Sequence, residues 1–196
     1  MNDKMININS YKKSIYDSRF TYEQIAMLLD FYVTRSIAGQ SGLSITLEDY
    51  GWKKLKNGHF DFVEIENKIL ESAKVKKLYC IRSNTIKDTL KSIQLSNEII
   101  YVDNPKIVLQ QSYSLSIDEN ENVKIDSTEN RINCLFRHIR NSFAHANTYF
   151  FDDDYMLLED KEKNKITARI LIKQQTLLDW IKIIDKNQIR YVIKNA

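Results

Sequence analysis

RINCLFRHIRNSFAHA, residues 131–146, is the stretch on which the reading of this chain turns. Wound as a helix at about 100° per residue, it places Ile132, Leu135, Phe136, Ile139, Phe143 and Ala146 on one broad apolar stripe. His138, Asn141, Ser142 and His145 fall together on nearly the opposite side. Asn141 and His145 are four apart, which makes them stacked neighbours. Arg140 lies on one flank and Arg137 on the other side of the polar stripe. The expectation is a polar, ionisable ridge that points away from the protomer's own core. Histidine and asparagine form helices less readily than the lysine and glutamate of an ordinary solvated face. Their use on consecutive turns costs helix stability with no evident structural gain, which marks a site.

Working outward, the spacing predicts more helix. Ser127 or Thr128 opens the helix just described. Thr21 and Gln24 have the form of a capping box ahead of Tyr22, Ile25, Leu28, Leu29, Tyr32 and Val33, with Gly39 and Gly42 as the stop. Shorter helices are expected over 44–57, from Phe62 to Tyr79 behind an Asp61/Glu64 cap, and after Thr85. A last helix is expected over 174–193, turning Leu177, Leu178, Ile181, Ile184 and Tyr191 inward. Residues 1–18 read as an arm. Residues 97–126 read as a loop-rich insertion with a hairpin turning at Asp118–Asn122, and 148–173 as a β-hairpin with EDKEKNK as its turn. One proline and four glycines in 196 residues favour long helices over a punctuated β architecture. The fold class expected is mainly α, one domain over 1–196 with one or two β-hairpin insertions.

Composition bounds the function. Hydrophobic residues make up 43% and charged residues 28%, as in soluble globular proteins. A formal charge of +3 does not by itself imply a polyanion partner. Cys80 and Cys134 lack the spacing of a zinc site, and a disulfide framework is not expected. No stretch has the length of a signal-peptide core or a membrane span. The expectation is a cytoplasmic protein with no membrane partner.

RNSFAH, Arg140 to His145, resembles the motif of the HEPN superfamily, an arginine and a histidine separated by four to six residues, in the form with asparagine after the arginine. The resemblance covers the last third of the chain and looks most like a branch associated with plasmid and phage defence. It implies a small helical bundle, a homodimer, and metal-independent endoribonuclease activity without a cofactor. A toxin–antitoxin or abortive-infection setting, with an antitoxin or other regulatory partner, comes with it.

The chemistry suits those residue types. RNA carries its own nucleophile, the 2′-hydroxyl. Histidine exchanges protons near neutrality, which assigns His145 to acid–base work. Arg140 offers a charged fork to phosphate oxygens. Asn141 can orient the imidazole or bind phosphate. Arg140 and His145 are separated by about 7.5 Å of rise and about 140° of rotation on one helix. A two-fold pair of motif helices would pool both kinds of residue in one cleft. Arg137, His138 and Ser142 are further candidates for RNA contact. Asp152–Asp154 lack the spaced partners of a calcium loop; Trp52 and Trp180 fit core positions, His59 a turn, and Lys53–Lys56 and Lys74–Lys77 solvated faces. Two other readings compete: a non-catalytic module that binds RNA, nucleotide or protein, and a helical interaction protein whose ridge is buried against a partner.

Overall fold

A computed structural model describes residues 5–11, 14–38, 45–96 and 98–187. In chain order its elements are β1 (Met5–Asn7), α1 (Tyr22–Leu29), α2 (Phe62–Ser72), β2 (Leu78–Ile81), α3 (Lys87–Ser92), β3 (Ile99–Tyr101), β4 (Lys106–Gln110), β5 (Tyr113–Ile117) and β6 (Val123–Ser127). There follow α4 (Arg131–Ala144), β7 (Thr148–Phe150), β8 (Tyr155–Glu162), β9 (Lys165–Lys173) and α5 (Gln174–Ile184). The molecule is therefore mixed α/β, and the expectation of a mainly α bundle with hairpin excursions is overturned.

The reason lies in the middle and late segments. A five-stranded mixed sheet runs in the order β2, β4, β9, β8, β7. β2 and β4 pair in parallel, and the other neighbours are antiparallel. The segment 97–126 supplies β4, an interior strand, and 148–173 supplies β7, β8 and β9. The expected hairpin in 148–173 is present as β8–β9 but lies within the central sheet; of 97–126 only β4 enters that sheet, while β5 and β6 form the expected hairpin, a separate exposed pair turning at Asp118–Asn122. The helix expected to run to Tyr79 stops at Ser72, and its last residues enter β2. Residues 47–51 of the expected 44–57 helix form a turn, and its expected first residue, Ser44, lies outside the described residues. The expected stop at Gly39 and Gly42 lies outside the described residues, as do positions 188–193 of the last helix and residues 1–4 and 12–13 of the arm.

Both faces of the sheet are covered. Ile107, Leu109, Met156, Leu158, Ala168, Ile170 and Ile172 meet the helices α1, α2, α4 and α5. Val108, Leu157 and Leu171 face a second core with Ile6, Ile8, Leu90, Leu95 and Ile100. Strands covered twice read as continuous apolar runs and lose the alternation of a half-solvated sheet.

The helical layer closes around aromatic residues. The capping box at Thr21 forms both bonds: the Thr21 N–H donates to Gln24 Oε1 (2.9 Å), and the Gln24 N–H donates to Thr21 Oγ1 (3.3 Å). A wide turn at Asp30–Thr34 follows α1 and buries Phe31 and Tyr32. Both rings meet Phe136 of α4, at 6.0 and 5.6 Å between centroids. Trp180 Nε1 donates to the Ile69 carbonyl (3.0 Å), and Trp52 Nε1 to that of Ile184 (2.9 Å). Among the described residues no helix is long and apolar enough to cross a membrane. Cys80 and Cys134 are free thiols.

The second core holds a buried ion pair. Glu159 and Arg169 are opposite one another on β8 and β9. Arg169 Nε and Nη2 each lie 2.7 Å from Glu159 Oε2, and Arg169 Nη1 donates to the Leu95 carbonyl (2.8 Å). Lys161 Nζ meets the other carboxylate oxygen at 2.5 Å. Arg169→Met strands much of that buried charge and is expected to cost about 3 kcal/mol, the low end for a broken buried pair because Lys161 remains. Urea unfolding at unchanged m-value reads it, and Glu159→Gln added to Arg169→Met is expected to recover part of the loss.

Candidate functional site

Asn130 caps α4, its side chain accepting the Asn133 N–H (2.8 Å). The helix is enclosed from two directions. Ile132, Leu135, Phe136 and Ile139 join the core shared with the other helices. The opposite stripe lies against the sheet, so the His138 and Ser142 part of the polar ridge does not point away from the protomer. His138 and Ser142 are fully buried. This corrects the expectation that the ridge is free for a partner.

His138 sits between two acceptors. Its Nδ1 is 2.7 Å from Asp160 Oδ2 on β8, and its Nε2 is 2.8 Å from the carbonyl oxygen of Gln110 at the end of β4. Pairing between β4 and β9 ends at Leu109, so the Gln110 carbonyl is available to side chains. Ser142 Oγ donates to the His138 carbonyl one turn back (2.8 Å). Both side chains are enclosed and bonded to the protein's own polar groups. Arg137 is committed as well. Its Nε and Nη2 donate to the two oxygens of Glu129 (3.0 and 2.6 Å), and Nη2 reaches the Gln110 carbonyl (3.1 Å).

The motif residues form the outer end of this network. Asn141 Nδ2 donates to Asp160 Oδ2 (3.0 Å), and Arg140 Nη1 donates to Asn141 Oδ1 (3.3 Å). Asn141 thus contacts Arg140 and Asp160, not the imidazole that sequence spacing paired it with. Arg140 is half-buried, and its Nε finds no hydrogen-bond partner among the described residues. His145 is exposed at the C-cap. Beyond it Ala146 takes a left-handed conformation (φ 52°). The Ala146 N–H bonds the Phe143 carbonyl (3.1 Å) and the Asn147 N–H that of Ser142 (2.8 Å). This closed C-terminal cap fixes where His145 leaves the helix.

A cleft of about 490 Å³ opens between the ends of β4 and β8 and the last turns of α4. Gln110, Arg137, Asn141, His145, Asp160 and Lys161 are among its lining residues. Arg140 is not among them; it touches the cleft only through Asn141. Burial alone would raise the Asp160 carboxyl, but hydrogen bonds from His138 and Asn141 outweigh it and hold the group below its ordinary value. Among the described residues no three His, Cys, Asp or Glu side chains are grouped to hold a metal ion.

Sequence reasoning missed Asp160, Gln110 and Glu129. Asp160 was placed in a turn spanning EDKEKNK, whereas β8 runs on to Glu162 and the turn is Lys163–Asn164, both at positive φ. The acid that closes the Met-Leu-Leu-Glu-Asp run was the available signal. Glu129 lies outside the helix it serves, eight residues before Arg137, a spacing no helical rule connects. Gln110 acts through its backbone, which no side-chain pattern reports.

No family model, curated protein or solved structure matches this chain.

Glu129 gives the site a pH signature. Burial raises its carboxyl, but the hydrogen bonds and charge of Arg137 and the N–H of Ser112 pull it from 4.5 down to about 2. A folded-state value below the unfolded one means that the contact stabilises fully above about pH 4.5. That contribution is lost as pH falls through 4.5 towards 2. Glu129→Gln is expected to be less stable than wild type at neutral pH and to show a shallower acid-side decline over that window. Urea midpoints measured across it check this, and parallel curves would contradict the assignment.

Proposed function

We propose that the chain is an endoribonuclease that cleaves RNA without a metal ion. The 2′-hydroxyl attacks the neighbouring phosphorus, the bond to the 5′-oxygen breaks, and the products are a 2′,3′-cyclic phosphate and a 5′-hydroxyl. The reading rests on the end of α4 and not on the fold class. The observation that carries it is an exposed imidazole, His145, at a rigidly capped helix end on the rim of a polar cleft. The resemblance of Arg140–His145 to the HEPN motif supports the same assignment.

The reaction needs one group to take the 2′-proton and another to give a proton to the leaving oxygen. His145 is suited to either task. Of the other two histidines, His138 is enclosed and bonded at both nitrogens, and His59 belongs to the turn at 55–59. One protomer therefore brings one exposed imidazole to the cleft. Two copies related by a two-fold axis bring two, which is the physical reason to place the active form as a homodimer. Arg140 supplies charge to the phosphoryl oxygens, with Asn141 fixing one of its nitrogens. A nuclease of this kind, set in a toxin or phage-defence context, requires a regulatory partner to hold it inactive.

A second reading is a non-catalytic module that binds RNA or nucleotide. The commitment of Arg137, Asn141 and His138 to the protein's own groups favours a site that does no chemistry, while His145 and Lys161 line the cleft where a phosphate would sit. The purified protein on end-labelled RNA in EDTA separates the two. Cleavage is expected, with cyclic-phosphate ends, and His145→Ala is expected to slow it about 10²–10⁴-fold. Arg140→Ala is expected to cost about 10²–10³-fold. Unchanged cleavage by His145→Ala removes the central residue; RNA affinity without cleavage by wild type establishes the second reading.

A further inference from the structure

We propose that His138 and Asp160 form a buried imidazolium–carboxylate pair whose task is to position Asn141 and, through it, Arg140. The inference deepens the ribonuclease reading and rests on it for the meaning of the positioned arginine. The donor count carries it. The Gln110 carbonyl only accepts, so Nε2 of His138, 2.8 Å away, must carry a hydrogen. Nδ1 lies 2.7 Å from Asp160 Oδ2, and that same oxygen receives the Asn141 amide at 3.0 Å. The contacts of His138 and Asn141 hold that carboxyl below its ordinary value, so the acid is ionised at neutral pH. With Asp160 ionised, Nδ1 must donate too, and the ring carries both protons.

The surrounding charges agree. Arg137, on the same helix, is matched by Glu129 through two bonds, which leaves the His138 charge to be matched by Asp160. Both side chains are almost wholly enclosed, at 0% and 5% exposure, where an unmatched charge would be costly. On the cleft side Lys161 is held by Glu159.

The charge on Asp160 then sets a direction. An ionised carboxylate cannot donate, so Asn141 must offer its NH₂ group to Asp160. The amide oxygen is thereby turned to Arg140, whose Nη1 donates to it at 3.3 Å. The reversed amide would leave its NH₂ against a guanidinium, donor against donor. Each bond in the series from Gln110 through His138, Asp160 and Asn141 to Arg140 has one permitted polarity. His138 and Asp160 are positioning residues: in this structure they hold Asn141 and lie behind the groups assigned to RNA.

Two measurements on the full chain test this. A ¹⁵N-edited spectrum of the histidine rings in wild type at neutral pH is expected to show His138 with hydrogens on both nitrogens. The Asp160→Asn variant is expected to show one. A singly protonated His138 in wild type overturns the proposal, whatever the enzyme does. In RNA cleavage, Asp160→Asn is expected to lower kcat about 100-fold, the scale of a misplaced catalytic group, with KM within about twofold. Asp160→Glu is expected to restore part of that rate. If Asp160→Asn fails to fold, the wild-type spectrum still decides the pair. A kcat within about twofold of wild type in a folded Asp160→Asn overturns the positioning role. Absence of cleavage by wild type refutes the ribonuclease reading and leaves the protonation result standing.

Discussion

The polar groups that α4 lays against the sheet find their partners there. The helix packs its apolar stripe into one core and lays its other side on a sheet. Along that second side, desolvation of an imidazole, an amide and a hydroxyl would be prohibitive without acceptors. The sheet provides two, the free carbonyl where β4 leaves its ladder and the carboxylate on β8. The hydroxyl of Ser142 turns back on its own helix. The architecture of the site follows from that requirement: the helix can dock only where the strand ends offer these two oxygens, and the cleft forms where docking stops.

The helix itself was legible in the sequence because its apolar positions recur with the right period over four turns. Periodicity, however, assigns residues to sides and does not say what lies on each side. His138 and Ser142 were placed on the correct stripe and given the wrong neighbour. The same limit hid the extent of the sheet. TARILI reads as strand, but KIVLQ and TARILI are apolar on both faces because both faces are covered, and nothing in the sequence says that they are neighbours at the centre of a five-stranded sheet. The turn at Asp118–Asn122 falls where the sequence puts it, but the turn between β8 and β9 is shorter than its composition suggests. Lys163 and Asn164 adopt positive φ with no glycine to announce it, and the two-residue turn was read as a seven-residue one.

The motif and the fold class give separate information about this chain. The order Arg140, Asn141, His145 is a local property of one helix end. It depends on the cap at Ala146 and on the carboxylate beneath Asn141, and not on how many strands pack behind. The two apolar cores, by contrast, are indifferent to those residues. The candidate chemistry therefore sits at the edge of the framework, where strand ends and a helix end meet.

Glu159 and Asp160 are successive residues of one strand, and the pleat sends them to opposite sides of the sheet. One closes an ion pair in the second core, and the other lies under His138. Were β8 to shift by a single position, both acids would change sides: in one direction a glutamate would crowd the imidazole, and in the other an aspartate would fall short of Arg169. Two adjacent like charges thus act as a key that admits one alignment of the strand. The irregularity between Asp160 and Lys161 comes directly after the key, where the alignment has already been decided.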